Sequence, residues 1–457
     1  MADDRTALDL SAPRRIHVTN TAGAGMSAVA VLLAQMGHRV SGHDPSTTSP
    51  FLIRLRELDV PVTAGAEGSL PADADAVVVS TATPVDHPDV AAARTRGIPV
   101  VHRAGALAAI CAQRRVAAVA GTHGKTTTSA LLATLLHGGA GGGGRGASAD
   151  GGGDGPLVVE ADESDGTFLA LGAEAAIVTN VEPDHLEHWG GEDALRQGFV
   201  DFVSALSGPA VLCLDDPGAS ALVPAARDPW TYGTTPGADY ELRDVSVEGT
   251  GVRFTLHHGE EVVDVAVPAA PGLHNARNAA AALALAHRLG VPLAAGATAL
   301  GGFRGVARRF EVRGEVAGVV FVDSYDHLPT EISAALAAAR AGGWRRVVCC
   351  FQPHRYSRTA ALWRTFAHAF VDADRLVVTD VYPAGEPARP GVTGKLIVDA
   401  VLDAHPWAEV AWMPGLDDAA SYLAATLRPG DLCLTLGAGD LTEVPDRVMA
   451  KLAARLG

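Results

Sequence analysis

The chain has 457 residues, of which 48% are hydrophobic and 19% are charged, and its formal net charge is −16 at pH 7. This length and apolar content predict a globular protein of about three domains, because single hydrophobic cores stop growing beyond roughly 250–300 residues. The acidic balance argues against a nucleic-acid partner, since neutralising phosphates requires clustered lysines and arginines.

Short β-branched runs alternate with alanine-rich runs in the first quarter of the chain. The predicted strands are 16–18, 39–40, 76–79 and 98–101, and the predicted helices are 27–36, 53–58 and 88–96. Such alternation indicates a parallel sheet with helices on its faces. We therefore predict a first α/β domain at 12–112.

Two further α/β cycles follow. The second cycle opens at Val116, with strands at 157–160, 176–179 and 210–214, and the third begins near Phe310, with strands at 319–322, 346–351, 376–379 and 432–436. Between them, residues 240–267 alternate apolar and polar side chains around glycine turns, which predicts an antiparallel flank. The sequence predicts two further domains, at 113–309 and 310–457.

Residues 121–128, Gly-Thr-His-Gly-Lys-Thr-Thr-Thr, follow an apolar run and lead into a helical run. In a phosphate loop, glycines let backbone N–H groups crowd a polyphosphate, Lys125 reaches the terminal phosphates and the Thr126 hydroxyl ligates Mg²⁺. A glycine-rich turn with a chance lysine is the alternative, but the chain has only three lysines and one lies here. The pattern predicts an enzyme that uses a nucleoside triphosphate.

The acidic residues that follow the predicted strand 157–160 form a second feature. Residues 160–165 contain four acids at a carboxyl strand end, where active sites of open α/β sheets lie. Because these acids repel one another unless cations neutralise them, we predict a Mg²⁺ role, with Glu160 nearest the strand; a solvated loop is the alternative. His185 follows the next strand and completes a metal shell or orients a phosphate, unless it is a surface or capping residue.

A glycine-rich tract separates the phosphate loop from these acids. Eleven of the 18 residues at 138–155 are glycine, and none is a large apolar residue. Such a segment cannot offset its ordering entropy by burial. We expect a mobile surface insertion or, alternatively, a lid that orders on substrate.

Cysteine usage and hydropathy indicate a cytoplasmic protein. The five cysteines lie in apolar runs without metal-site spacing, and their odd number favours reduced core thiols. Apolar stretches such as 279–286 are interrupted by charge before they could span a bilayer, and residues 1–11 are acidic and polar, unlike a signal peptide. We expect no membrane segment, and a monomer or homodimer.

Motifs along nearly the whole chain resemble those of the Mur ligase family. They are GTHGKTTT at 121–128, EADESDG at 160–166, TNVEPDHLEH at 179–188, GLHNARNAAAA at 272–282, GVARRF at 305–310, VDSYDHLPTE at 322–331, FQPHRYSRT at 351–359, DVYPAGE at 380–386 and LGAGD at 436–440. The resemblance implies a Rossmann-like N-terminal domain, a central P-loop ATPase domain and a Rossmann-like C-terminal domain. It also implies an ATP-dependent amide ligase of peptidoglycan synthesis that closes its domains around UDP-N-acetylmuramate and L-alanine.

The resemblance assigns a nucleotide and metal site. The implied ATP-binding residues are Gly121, Thr122, His123, Gly124, Lys125, Thr126, Thr127, His274, Asn275, Asn278, Arg309 and Asp323, and the implied Mg²⁺ ligands are Thr126, Glu160 and His185. Asn278 resembles an adenine-reading asparagine, and Asp323 a carboxylate that meets the nucleotide from the C-terminal domain. For Asn275, a helix N-cap is the alternative.

The resemblance also assigns substrate residues. Those implied for the acid, a UDP-sugar, are Gly23, Gly25, Met26 and Ser80, and those implied for the amino acid are Tyr325, His327, His354, Arg355 and Arg358. Guanidinium groups suit a carboxylate through paired hydrogen bonds, with surface ion pairs as the alternative. The implied catalytic residues are Lys125, Glu160, His185, His327, Arg355 and Arg358.

Four substitutions relative to the family pattern fall at substrate positions. Asn20 and Ala22 replace glycines of the first loop; asparagine tolerates left-handed backbone angles, but alanine adds a Cβ where phosphate would approach. Asp326 adds a negative charge beside the amino-acid pocket, and Leu328 replaces a histidine there. These changes agree about equally with two alternatives: a relative that ligates another acid or amine, and a divergent cell-wall enzyme.

Two hypotheses from other classes remain open. One is an ATP-binding regulator without chemistry, suggested by the altered glycine loop. The other is a dinucleotide oxidoreductase, suggested by Ala-Gly-Ala-Gly at 22–25 after a strand, although a complete G-x-G-x-x-G is missing.

Overall fold

The computed structural model describes residues 8–45, 49–65, 68–137, 155–164, 166–184 and 186–456. The glycine-rich tract and His185 therefore lie outside the described residues, apart from Gly155. The chain divides into two compact units. The first comprises Met1–Glu241, His257–Glu261 and Asn278–Ala299, and the second comprises Leu242–Leu256, Val262–Arg277 and Leu300–Gly457.

A five-stranded parallel sheet opens the first unit, in the order β3-β2-β1-β4-β5. Its strands are β1 (Arg15–Thr19), β2 (Arg39–Asp44), β3 (Val62–Ala64), β4 (Ala76–Val79) and β5 (Val100–His102). Its helices are α1 (Ala24–Gln35), α2 (Ile53–Glu57), α3 (Pro88–Thr95) and α4 (Arg103–Cys111). The strand order reverses between β1 and β4, and ligand sites of such sheets lie at this switch point.

An eight-stranded sheet follows, in the order β13-β12-β11-β10-β9-β8-β6-β7. Its strands are β6 (Val116–Ala120), β7 (Leu157–Glu160), β8 (Ala175–Val178), β9 (Ala210–Cys213), β10 (Pro229–Gly233), β11 (Tyr240–Glu248), β12 (Gly251–His258) and β13 (Glu261–Val267). Strands β6 to β10 pair in parallel. Two-residue links join β11 to β12 and β12 to β13, which is the geometry of antiparallel hairpins and confirms the predicted flank.

Among the described residues, six α-helices accompany this sheet. They are α5 (Lys125–His137), α6 (Leu186–Trp189), α7 (Glu192–Ser204), α8 (Pro217–Ser220), α9 (Leu273–Arg288) and α10 (Leu293–Leu300). Strands β6, β8 and β9 are buried along their whole length, as expected for central parallel strands covered on both faces.

The C-terminal sheet has six strands in the order β14-β15-β19-β16-β17-β18. They are β14 (Glu311–Val316), β15 (Val319–Ser324), β16 (Arg346–Phe351), β17 (Arg375–Val378), β18 (Val410–Trp412) and β19 (Asp431–Leu436), with α11 (Pro329–Ala341), α12 (Tyr356–Leu362), α13 (Lys395–Ala404), α14 (Leu416–Thr426) and α15 (Val444–Leu456). Only β14 is antiparallel to its neighbour. Side chains of β15 alternate between two cores, with Val322 on one face and Phe321 on the other.

This architecture confirms the predicted fold class, an α/β protein built on three sheets with an antiparallel flank on the central one. All five cysteines are buried and none forms a disulfide bond, as predicted. Within the described part of the chain, no helix has both the length and the apolar character needed to cross a bilayer. The domain boundaries at 112 and 309 remain predictions.

Candidate active site

The predicted phosphate loop connects β6 to α5. Gly121 has φ +126° and Gly124 has φ +83°, in the left-handed region that favours glycine. A Cβ at 121 would collide with the Thr179 hydroxyl, and a Cβ at 124 would lie 2.8 Å from Oδ1 of Asn278. Helix α5 begins at Lys125, so the loop meets a helix N-terminus, which favours anions.

The segment after β8 braces this loop. The Thr179 hydroxyl donates to the carbonyl of His123 at 2.6 Å, and Oδ1 of Asn180 accepts from the His123 N–H at 2.8 Å. The N–H of Glu182 donates to the Thr122 hydroxyl at 2.9 Å. Sequence reasoning did not assign Thr179 and Asn180, although both lie in the TNVEPDHLEH motif. Their bonds hold the loop in a fixed shape before any ligand arrives.

The ammonium of Lys125 is already engaged. Nζ donates to the carbonyl of Gly121 at 2.6 Å and to Oε2 of Glu163 at 2.9 Å. The Glu163 side chain is only 2% exposed, and this burial raises the pKa of its carboxyl, although nearby Lys125 opposes the shift. Sequence reasoning selected Glu160 from the acidic run and missed Glu163. A triphosphate would have to replace Glu163 as the partner of Lys125.

Thr126 and Glu160 lie together, as predicted. The Thr126 hydroxyl donates to Oε1 of Glu160 at 3.1 Å. Octahedral Mg²⁺ binds oxygen at about 2.0–2.1 Å, which places adjacent ligand oxygens about 3 Å apart, so this pair suits a Mg²⁺ shell. The third predicted ligand, His185, lies outside the described residues. Thr127 is buried behind the loop.

The predicted substrate loop follows β1 in the first sheet. Asn20 has φ +54°, which confirms that it takes a left-handed conformation there. The N–H of Ala22 donates to Oδ2 of Asp44 at 2.8 Å, so this backbone donor already has a partner. Met26, predicted as a substrate residue, is 4% exposed and belongs to the core.

A guanidinium covers the same loop. A Cβ at Gly25 would lie 2.8 Å from Nη1 of Arg103, whereas Gly23 is exposed. Ser80 follows β4, the strand next to β1, and its hydroxyl lies 3.3 Å from the hydroxyl of Thr83. Burial raises the pKa of the Asp162 carboxyl. The Ser164 N–H and the charges of Lys125 and Arg103 lower it by more, so the net shift is downward. Arg103, which sequence reasoning missed, is thus a cation at this sheet edge.

The predicted amino-acid residues form one cluster in the second unit. The rings of His327 and His354 are 5.5 Å apart, and His354 stacks on Tyr382 at 5.8 Å. Nη1 of Arg358 lies 3.2 Å from Nδ1 of His354, and Arg355 immediately precedes α12 with φ +66°. Burial, together with nearby His327 and Arg358, lowers the pKa of His354 to about 4. Burial also lowers the pKa of His327.

The added charge of Asp326 is compensated within this unit. Oδ2 of Asp326 accepts from the Ser324 hydroxyl at 2.6 Å, and Oδ1 lies 3.8 Å from Nη1 of Arg309. Arg309 also lies over the ring of Tyr325, at 5.5 Å. The repulsion expected between Asp326 and an amino-acid carboxylate is therefore reduced.

Asp323 is held by residues of its own unit. Its side chain is 1% exposed and accepts from the hydroxyls of Thr435 and Thr442, each at 2.7 Å. Nε of Arg308 lies 3.3 Å from the same carboxylate, and Nη2 of Arg308 donates to the Gly437 carbonyl at 2.6 Å. Sequence reasoning assigned Asp323 to the nucleotide but missed the arginine and threonines that hold it.

Helix α9 carries the remaining predicted nucleotide residues. It begins at Leu273, so Asn275 lies inside the first turn and the N-cap alternative is wrong. The Asn275 amide instead donates to the carbonyl of Pro271 at 2.8 Å. Asn278 approaches the phosphate loop at Gly124, and His274 is exposed.

The chain is similar to known proteins over nearly its whole length. Three family models match in order: Mur ligase family, catalytic domain, at residues 15–115; Mur ligase middle domain at 157–286; and Mur ligase, glutamate ligase domain, at 308–439. A UDP-N-acetylmuramate–L-alanine ligase of Kineococcus radiotolerans is 46% identical, over 96% of this chain and 97% of its own. One from Anaeromyxobacter sp. is 43% identical, over 97% and 99%. Among solved structures, the UDP-N-acetylmuramate–alanine ligase MurC of Thermotoga maritima matches with a TM-score of 0.79 at 28% identity, covering 97% of this chain and 100% of its own.

Proposed function

This chain belongs to the Mur ligase family, and on that premise we propose that it joins L-alanine to UDP-N-acetylmuramate and converts ATP to ADP and phosphate. The observation that carries the proposal is the assembled phosphate loop, with Thr126 hydrogen-bonded to Glu160 and Lys125 at the start of α5. The chain that carries this loop is 46% identical to the UDP-N-acetylmuramate–L-alanine ligase of Kineococcus radiotolerans.

The first step follows from the charges at this loop. A carboxylate oxygen of the acid attacks the γ-phosphorus, the bond to the bridging oxygen of ADP breaks, and an acyl phosphate forms. Two anions meet in this step, so positive potential is required. Lys125, the loop N–H groups and the N-terminus of α5 supply it once Glu163 is displaced. Mg²⁺ held by Thr126 and Glu160 would neutralise further phosphate charge.

The second step needs an unprotonated amine. Its nitrogen attacks the acyl carbon, and inorganic phosphate leaves as the amide forms. We assign the amino-acid carboxylate to Arg355 and Arg358, because guanidinium groups pair with carboxylates through two hydrogen bonds. His327 and His354 are neutral near pH 7, since both pKa values are lowered, so they add no charge that would repel the incoming ammonium form.

The acid substrate fits the first sheet. Gly23 is exposed in the loop that follows β1, and Arg103, which lies against Gly25, offers a cation that suits a diphosphate. We propose ATP and Mg²⁺ as the cofactors, small molecules as the substrates, and the cytoplasm as the location. The oligomeric state we propose is a monomer or homodimer.

The experiment incubates the full chain with ATP, Mg²⁺, UDP-N-acetylmuramate and single amino acids, and measures phosphate release and amide mass. We expect phosphate release that requires both the acid and L-alanine. Lys125→Ala should lower the rate by at least about 10²-fold, the typical loss when one charge-stabilising group is removed. Lys451→Ala, at an exposed lysine of α15, is the matched control and should retain the rate.

The same assay separates the alternatives. Product with another amino acid, but not with L-alanine, would identify a relative with different specificity, as Asp326 and Leu328 suggested. ATP binding without product across all acids and amines would instead favour the regulator. Membership of a ligase family argues against the oxidoreductase hypothesis for residues 22–25.

A further inference from the structure

A buried carboxylate in the first sheet is surrounded by imidazoles that the proposed reaction does not use. Asp89, in the first turn of α3, is fully buried. Its Oδ2 lies 3.2 Å from Nε2 of His17, 3.6 Å from Nδ1 of His43 and 3.9 Å from Nδ1 of His87. Imidazole nitrogens beside a buried carboxylate are donors that suit a divalent transition metal.

The His43 ring has one nitrogen without a hydrogen-bond partner. Nε2 lies 2.9 Å from the carbonyl of Gly65, which can only accept, so the proton of a neutral ring is on Nε2. Nδ1 then carries a lone pair, is buried and makes no hydrogen bond. Oδ2 of Asp89, which is also an acceptor, lies 3.6 Å from it. Two buried acceptors that face each other are unfavourable unless a positive species lies between them.

The three ligand atoms of His43, His87 and Asp89 have suitable separations. They all lie within 4.8 Å of one another. Zinc bonds of about 2.0–2.2 Å in tetrahedral geometry place ligand atoms about 3.3–3.6 Å apart, so a small contraction brings the group to that size. The rings of His43 and His87 are 5.3 Å apart and inclined by 73°, so they are not stacked. Nδ1 of His87 now accepts the Asp89 N–H at 3.2 Å, a contact that a metal would replace.

A second layer of hydrogen bonds orients the carboxylate. Oδ1 of Asp89 accepts the N–H groups of Ser69 and Leu70 at 2.6 and 2.7 Å. Nδ1 of His17 lies 2.8 Å from the Ser41 hydroxyl, which leaves Nε2 to donate to Oδ2 of Asp89. Metal sites use outer partners of this kind to fix ligand orientation.

We propose that His43, His87 and Asp89 bind one divalent transition-metal ion of the Zn²⁺ class. The ion joins the carboxyl end of β2 to the first turn of α3. Its role is structural, because it links an interior strand of the first sheet to a helix, and the fourth tetrahedral position is left for a water molecule. The imidazole nitrogens make this site prefer a transition metal, whereas the oxygen ligands of Thr126 and Glu160 favour Mg²⁺.

The test uses the full chain after treatment with a chelator. The protein is dialysed against ZnCl₂ in excess MgCl₂, which occupies the oxygen site, and bound zinc is measured by mass spectrometry. We expect one zinc per chain. His43→Ala and His87→Ala should each weaken zinc binding by at least about 10–100-fold, the loss typical of removing even an outer partner. His368→Ala is the matched control, because His368 and His405 form an exposed pair at 2.9 Å and should not hold this ion.

A second measurement does not depend on how the variants fold. Co²⁺ replaces Zn²⁺ in the unaltered chain, and its visible absorption distinguishes tetrahedral nitrogen and oxygen ligation from octahedral oxygen ligation. A tetrahedral spectrum supports the site. Failure of the unaltered chain to take up zinc, an octahedral spectrum, or zinc uptake lost in His368→Ala but retained in His43→Ala overturns it. These readouts are independent of ligase activity.

Discussion

At the scale of single residues, charge pairing dominates the candidate site. Lys125 contacts both oxygens of Glu163, at 3.1 and 2.9 Å, in a place where solvent is largely excluded. Removing one partner of such a buried pair strongly destabilises the folded protein, because the remaining charge is left without compensation. Glu163 therefore keeps Lys125 in place when no nucleotide is bound, and competes with the triphosphate when it arrives.

This competition predicts the effect of Glu163→Gln. The variant should bind ATP several-fold more tightly, because Lys125 no longer has to exchange a carboxylate for phosphate. Its nucleotide-free form should unfold more easily. Calorimetric titration with a non-hydrolysable ATP analogue and urea unfolding measure the two effects. Glu192→Gln, at an exposed acid on α7, is the control. Weaker nucleotide binding in Glu163→Gln would show that Glu163 assists the ligand instead.

A second prediction at this scale concerns pH and His354. The pKa of this ring falls from its ordinary 6.5 to about 4, so the unfolded chain takes up the proton first as pH falls. The folded state should therefore lose stability between about pH 6.5 and pH 4, while the ring has no effect above this range. His354→Asn should flatten the slope of unfolding free energy against pH, measured with urea. An unchanged slope, or equal flattening in exposed His368→Asn, would contradict the assignment.

At the scale of elements, the strand ends position the chemistry. Strands β6, β7 and β8 are adjacent and parallel, and their carboxyl ends carry the phosphate loop, Glu160 and the bracing Thr179. The phosphate loop depends on glycine at two positions, because the chain turns through left-handed angles where other backbone lies close. The loop is thus determined by its own residues and by the strand beside it.

Gly121→Ala tests this dependence. A Cβ at 121 would collide with Thr179 and lie 2.9 Å from the carbonyl oxygen of Asn180. We expect a loss of ATP turnover and a fall of at least about 1–3 kcal/mol in the free energy of unfolding. Gly237→Ala is the matched control. Gly237 has φ +92°, but a Cβ there would have no neighbour within 4 Å, so this variant reports the effect of backbone strain alone. Full turnover in Gly121→Ala would refute the role of the loop.

At the scale of the whole molecule, the chain has two compact units, and the phosphate loop with its braces lies wholly in the first. Ligands of this loop should therefore stabilise the first unit. In differential scanning calorimetry we expect two transitions. A Mg²⁺–ATP analogue at about 100 times its Kd should stabilise one of them by about 2.7 kcal/mol.

Lys125→Ala provides the contrast for this measurement. The analogue should no longer shift the transition of the first unit. Without nucleotide both transitions should remain, that of the first unit at a lower temperature because Glu163 has lost its partner. If the analogue shifts both transitions of the unaltered chain equally, the two units do not unfold independently and the prediction is wrong.

The sequence by itself determined the α/β class, the antiparallel flank, the phosphate loop and the pair formed by Thr126 and Glu160. Each depends on local periodicity or on residues at the ends of neighbouring strands, which short stretches of chain encode directly. It missed the edge strands β3, β14 and β18, because these are short or alternate with exposed residues and lack a continuous apolar run.

Only the tertiary structure decided which side chains meet. Lys125 and Glu163 are 38 positions apart, and His17 and Asp89 are 72 apart, so no local pattern links them. The acidic run offered four carboxylates, and packing alone selected Glu163 for the lysine. Likewise, Asp326 meets Arg309 only because β14 and β15 pair antiparallel. Local sequence fixes which groups are present at each strand end, whereas the packing of strands and helices fixes their partners.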